Sequence, residues 1–133
     1  MARASNIELS STWEAAANDL LRRRNLVDRV ERLSGDFVDM AAGLPNFDVV
    51  VAHRVVCCYW DWKAMLDTAG RKADQFLILT FPRPWTKLLL ALENFLHWAR
   101  RRQFRAYVHS PTAMLALLFG AGFTLRDDHR TLF

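Results

Sequence analysis

A chain of 133 residues is long enough for one compact domain with a core and too short for two ordinary ones. With 52% apolar residues, 24% charged residues and a net charge of +4, its composition is that of a globular protein and excludes a disordered or fibrous one. Its two cysteines are adjacent, which excludes a disulfide framework and makes a reducing, cytoplasmic setting the default.

Asn6 to Leu9 reads as the end of a strand. In "SSTWEAAANDLLRRR", Ser11 and Glu14 have capping-box spacing. Trp13, Ala16, Ala17, Leu20 and Leu21 form one apolar helical stripe. Arg22, Arg23 and Arg24 end that helix, where cations complement the helix dipole. Arg29 to Leu33 alternates as a strand does, and the run ends at Gly35. "FVDMAAG" reads as a short helix closed by Gly43. Phe47 to Ala52 is β-branched and almost wholly apolar, as expected of a strand buried on both faces.

Asp61 is placed to cap a helix with Trp62, Met65, Leu66 and Ala69 on one face. "QFLILTF" is a second buried strand, stopped by Pro82 and Pro84. Trp85 to Arg102 has the pattern of a long helix with a wide apolar face. It contains Lys87, Glu93 and His97, and its apolar part falls short of the roughly 20 residues a membrane span needs. Arg100 to Arg102 end it as the first arginine run ends its helix, so neither run calls for nucleic acid or a membrane surface. Ser110 and Pro111 open another helix, which Gly120 and Gly122 close. "FTLRDD" and "HRTLF" read as a final antiparallel pair. Met1 to Ser10 carries no signal-peptide core.

Strands and helices alternate, so the class is α/β with a mostly parallel sheet. Ligands of such sheets sit at the carboxyl ends of the strands. Those ends carry Glu8, Gly35-Asp36-Phe37, His53-Arg54 and Phe81-Pro82-Arg83. The stretch "AHRVVCCYWD" follows one of them and admits several chemistries. Adjacent Cys57 and Cys58 with nearby His53 are too few ligands for zinc, and no metal is expected. A nucleophilic cysteine with His53 as base lacks a third member, so both cysteines are expected to be small packing residues, at least one of them buried and inert. No Gly-rich phosphate loop of either common type occurs in these residues. Glu8, at a strand end, suits acceptance of both ribose hydroxyls of a nucleoside cofactor. Asp36, after the next strand, suits the amine of adenine, with Gly35 permitting close approach and Phe37 adding an apolar contact.

"NIELSSTWEAAANDLL", "RVERLSGDFVD", "FDVVVAHRVVCCYWD" and "FRAYVHSPTAMLALLFGAGF" together resemble class I S-adenosylmethionine-dependent methyltransferases. The resemblance is to the small-molecule, magnesium-protoporphyrin-methyltransferase-like branch and runs from about Asn6 onward. It implies a Rossmann-like sheet, mostly parallel with an antiparallel last strand. It implies S-adenosylmethionine as cofactor, with Glu8 on its ribose and Gly35, Asp36 and Phe37 around its adenine. His53 would lie along its methionine moiety and be the candidate acid or base, with Arg54 and Tyr59 as substrate contacts. Trp60 stands where relatives often have proline. The first strand and Gly-rich loop of that family are not found before Ile7, so a single domain truncated at its N-terminus is expected over residues 1–133. Without the central first strand, Ile7 to Leu9 is expected to pair directly, in parallel, with Val49 to Val51. The implied partner is a small-molecule substrate, with self-association through an exposed sheet edge. The alternative is a non-catalytic remnant or interaction module with the same fold.

Overall fold

A computed structural model describes residues 2–80, 107 and 109–128. The chain forms two compact units, Met1–Leu44 and Pro45–Phe133.

In the first unit, strand β1 (Ala4–Glu8) leads through a 3₁₀ turn into helix α1 (Glu14–Arg23), and the chain returns as strand β2 (Val30–Ser34). The strands pair in parallel, Ala4 opposite Val30 and Glu8 opposite Ser34. Parallel neighbours need such a crossover, because both strands must start from the same edge. A short helix α2 (Phe37–Met40) follows, extended by a 3₁₀ turn over Ala41–Gly43.

Helix α1 departs from its expected start. Ser10, not Ser11, supplies a cap, and it caps the 3₁₀ turn Ser11–Trp13, accepting from the Thr12 N–H at 3.2 Å; α1 itself follows Trp13 with no side-chain cap. Glu14 turns instead to Arg32 on β2, whose Nη2 lies 2.7 Å from Oε2 and whose Nε donates to the same oxygen at 3.1 Å. Asn18 donates to the other Glu14 oxygen at 3.1 Å, and Arg32 also donates to Asn6 Oδ1 on β1. A forked guanidinium–carboxylate pair is directional and stronger than a neutral hydrogen bond. It therefore sets the rotation of α1: Glu14, Ala17, Asn18 and Leu21 are the partly covered positions, while Trp13 and Leu20 of the expected stripe stay exposed.

The second unit repeats the strand–helix–strand arrangement. Strand β3 (Phe47–His53), helix α3 (Trp62–Lys72) and strand β4 (Ala73–Thr80) place β3 and β4 in parallel, with a register shift between Phe47 and Val49. Asp61 caps α3 as expected, accepting from the Ala64 N–H at 3.0 Å. Helix α4 (Pro111–Gly120) is capped by Ser110 with proline in its first turn. Gly122, at φ +90°, ends it in a conformation that glycine adopts without strain. The core gathers Ala52, Val56, Leu66 and Met114, with Trp62, Leu79 and Leu117 against them. The Phe123 ring covers Gly70 so closely that an added Cβ would lie 3.2 Å from it.

Three expectations about the sheet are corrected. First, β1 pairs with β2 and β3 with β4, and among the described residues no ladder joins Ile7–Leu9 to Val49–Val51. Each strand finds its hydrogen-bonding partner across its own helical crossover. Second, β3 is not buried on both faces. Val50 and Ala52 turn toward the core side, while Val49 and Val51 are 44% and 59% exposed. Third, residues 123–128 form no strand, so "FTLRDD" supplies no half of an antiparallel pair; its partner "HRTLF" lies outside the described residues. The long helix expected over Trp85 to Arg102 and the strand end expected at Phe81-Pro82-Arg83 also fall outside them. Among the described residues no helix is long and apolar enough to cross a membrane.

The Arg32 hydrogen bonds hold the Glu14 carboxyl below its ordinary value, against partial desolvation, and the Asn18 bond adds to the effect. A carboxyl lowered by folding stabilises fully above its unfolded value and loses that contribution as pH falls through the folded one. Wild-type stability should therefore drop below pH 4.5 more steeply than that of Glu14→Gln, as read by denaturant unfolding followed by circular dichroism. Equal slopes would mean that the pair contributes nothing.

Candidate functional site

Parallel pairing delivers Glu8 and Gly35 to the same edge of the first unit. Gly35, one residue beyond β2, donates its N–H to the Glu8 carbonyl at 3.0 Å, extending the ladder past Ser34. Its φ of +152° is a region left almost entirely to glycine. A Cβ there would also meet Met40 Sδ at 2.5 Å. The chain can make this turn because position 35 has no side chain. Asp36 follows as the cap of α2, its Oδ1 accepting from the Val38 N–H at 2.8 Å. This cap holds the Asp36 carboxylate beside the strand end. Phe37 opens the helix. The structure brings Glu8, Gly35, Asp36 and Phe37 to one end of one two-stranded ladder.

The corresponding end of the second unit carries the histidine. His53, the last residue of β3, stands opposite Thr80, the last of β4. Its Nδ1 lies 2.9 Å from Thr80 Oγ1. The Arg54 N–H donates both to that Oγ1 and to the Thr80 carbonyl, each at 3.0 Å. Arg54 itself has φ +55°, uncommon for a non-glycine residue, so the chain leaves the strand through a sharp left-handed step. Thr80 fastens that step and holds the imidazole. Sequence reasoning did not single it out, although a lone hydroxyl ending the apolar run "QFLIL" is a readable signal.

The step leads into a 3₁₀ turn, Val56–Cys58, pinned by Val56, which is 1% exposed. The Tyr107 N–H donates to the Cys57 carbonyl at 2.7 Å. His109 Nε2 donates to the Tyr59 carbonyl at 3.1 Å, and its ring stacks at 5.8 Å on Tyr107. Tyr59 is half-buried and Arg54 exposed. Contacts from Tyr107 and His109 were not legible, because nearly fifty residues separate them from the loop they hold.

The cysteines depart from expectation. Neither is buried: Cys57 is partly exposed and Cys58 exposed. Val56 takes the packing position of this turn, which leaves the two following side chains outside. Among the described residues no group of three histidine, cysteine or acidic side chains could hold a metal ion.

No family model and no curated protein matches the chain. Solved structures do, among them these two. One is an O-methyltransferase family protein from Burkholderia thailandensis, with a TM-score of 0.72 at 16% identity, covering 96% of this chain and 40% of that one. The other is an O-methyltransferase family 2 protein from Planctomyces limnophilus DSM 3776, solved in complex with apigenin, with a TM-score of 0.65 at 15% identity, covering 94% of this chain and 38% of that one. At such identity the likeness concerns the fold alone, which this chain shares with part of these O-methyltransferase family proteins. The chain spans about two fifths of the length of these structures.

If Thr80 fastens the exit from β3, Thr80→Val should lower stability by about 0.5–1.5 kcal/mol, the net contribution of ordinary hydrogen bonds. Amide exchange at Arg54 should quicken with it. Unchanged exchange at Arg54 would show that the Thr80 carbonyl suffices.

Proposed function

We propose that this chain is part of an S-adenosylmethionine-dependent methyltransferase acting on a small molecule. The observation that carries the reading is the junction of Glu8 with Gly35-Asp36-Phe37 at one ladder end, in a chain with a methyltransferase fold. Two carboxylates flanking a position with no Cβ suit a nucleoside with hydroxyls and an amine to donate.

In this reading Glu8 accepts from the ribose hydroxyls. Asp36 accepts from the adenine amine while its Oδ1 also holds the α2 cap. Phe37 lies on an apolar face of the base. When bound, the cofactor supplies an electrophilic methyl group on sulfur. Catalysis then rests largely on positioning the acceptor in line with it. His53 takes the acceptor's proton. For that, its Nδ1–H must donate to Thr80 Oγ1, which leaves Nε2 as the base. The hydroxyl oxygen has two lone pairs and accepts from both Nδ1 and the Arg54 N–H. Arg54 and Tyr59 are the proposed substrate contacts.

A calorimetric titration with S-adenosylhomocysteine tests this. Binding is expected to be weak, because none of the five glycines sits in a Gly-rich cofactor loop. Glu8→Ala should weaken it by a further 1.5–3 kcal/mol or so, the range for hydrogen bonds to a charged group. Low-micromolar binding indifferent to Glu8 would contradict the assignment.

A second reading, an interaction module with a methyltransferase fold, is favoured by one observation. Val49 stands opposite Phe76 and Val51 opposite Ile78, so the outer face of the β3–β4 ladder carries four apolar side chains between 44% and 59% exposed. Contiguous exposed apolar surface of this kind marks an interaction site or an association hazard. The isolated chain should therefore sediment as more than a monomer, and Val51→Lys should shift it toward monomer. A monodisperse wild-type monomer would remove the support for this reading.

A further inference from the structure

The methyl-transfer reading leaves Cys57 and Cys58 without a task. Their geometry is unusual for neighbours on a 3₁₀ turn, where successive side chains diverge around the axis. Here the two Sγ atoms lie 3.7 Å apart. Both turn toward one acceptor, the Arg54 carbonyl, at 3.1 Å from Cys57 and 3.7 Å from Cys58. That carbonyl belongs to the left-handed step fastened by Thr80, so a fixed backbone group gathers the two sulfurs. Both are open to solvent to some degree. No third ligand joins them among the described residues, so the pair is not a closed metal site.

We propose that Cys57 and Cys58 form a thiol–disulfide exchange site, in which Cys57 captures a small-molecule disulfide and Cys58 resolves it to a Cys57–Cys58 disulfide. In the first step the Cys57 thiolate attacks one sulfur of the disulfide. That S–S bond breaks, and one thiolate leaves and takes a proton. In the second step Cys58 loses its proton to solvent and attacks Cys57 Sγ, releasing the second thiol. Two electrons pass from the protein to the reagent, and two small thiols form for each protein disulfide.

The division of roles follows from the surroundings. The Cys58 thiol beside it, opposed by partial burial and aided by its own backbone N–H and the Arg54 charge, lowers the Cys57 thiol from its ordinary 9.0 to about 7. As a thiol, Cys57 donates to the Arg54 carbonyl; as a thiolate, it accepts from Cys58 instead. Thiolate is the attacking species, so Cys57 leads. To join, the sulfurs must close from 3.7 Å to about 2.05 Å. Adjacent α-carbons stand only about 3.8 Å apart, closer than the roughly 4.4–6.8 Å of ordinary disulfides. The bond is therefore strained and readily reduced, as reversible disulfides are.

Oxidised glutathione is the probe, with the full chain analysed by intact mass and peptide mapping after acid quench. Wild type should lose two hydrogens, located to the Cys57–Cys58 peptide, without covalent dimers. Cys58→Ser, a change at an exposed position, should instead retain one glutathionyl group on Cys57. Cys57→Ser should react at Cys58 more slowly, on the order of fivefold near neutral pH, since a higher thiolate fraction is partly offset by lower nucleophilicity. Iodoacetamide labelling of Cys57 in a Cys58→Ala background, which leaves no side-chain donor at position 58, should have a midpoint above about 7, because the largest influence on Cys57 is gone. An unmodified Cys57 in Cys58→Ser, faster reaction at Cys58, or disulfide-linked dimers as the main product would overturn the proposal.

Discussion

Two hydrogen bonds end the two ladders, and each holds the candidate residues of its own unit in place. The Gly35 N–H reaches the Glu8 carbonyl, and the Arg54 N–H reaches the Thr80 carbonyl. Each forms because its strands run parallel, which sends both carboxyl ends to the same edge and leaves the next residue poised for one more rung. An antiparallel pairing in either unit would separate Glu8 from Asp36, or His53 from Thr80, by the length of a strand. The chemistry proposed for this chain thus descends from strand direction, which is set by the helical crossovers α1 and α3.

At these edges structural and chemical roles fall on the same residues. Asp36 caps α2 and is a candidate cofactor acceptor. Thr80 closes a ladder and holds an imidazole. Arg54 bends the chain and offers its carbonyl to two thiols. Substitution at any of them is expected to disturb backbone and chemistry together. Cys58 is a more separable position, because it is exposed while Val56 anchors the turn.

Much of this was legible in the sequence where the cause is local. Asp61, Ser110 with Pro111, and Gly122 mark helix ends by their own hydrogen bonding and φ preferences, and the structure places them so. The strand ends at Glu8, Gly35 and His53 followed from alternation and apolar runs broken by polar or glycine residues. What failed was decided at a distance. Arg32, eighteen residues on, drew Glu14 out of a capping box and rotated α1. The apolar run of β3 suggested cover on two faces, but periodicity does not tell which faces find a partner. The cysteines read as packing because free cysteine usually packs, yet Val56 already occupied that place. The expected pairing of Ile7–Leu9 with Val49–Val51 assumed one continuous sheet, whereas the described ladders are two.

The central claim is that the ladder end carrying Glu8, Gly35, Asp36 and Phe37 holds a nucleoside cofactor. Backbone amide shifts recorded while S-adenosylhomocysteine is titrated into the labelled protein test it most directly, and they do so even for weak binding. The account predicts saturable shifts at Glu8, Gly35, Asp36 and Phe37. Shifts confined to Val49, Val51, Phe76 and Ile78, or none at Glu8, Gly35, Asp36 and Phe37 at the highest soluble concentration, would contradict it.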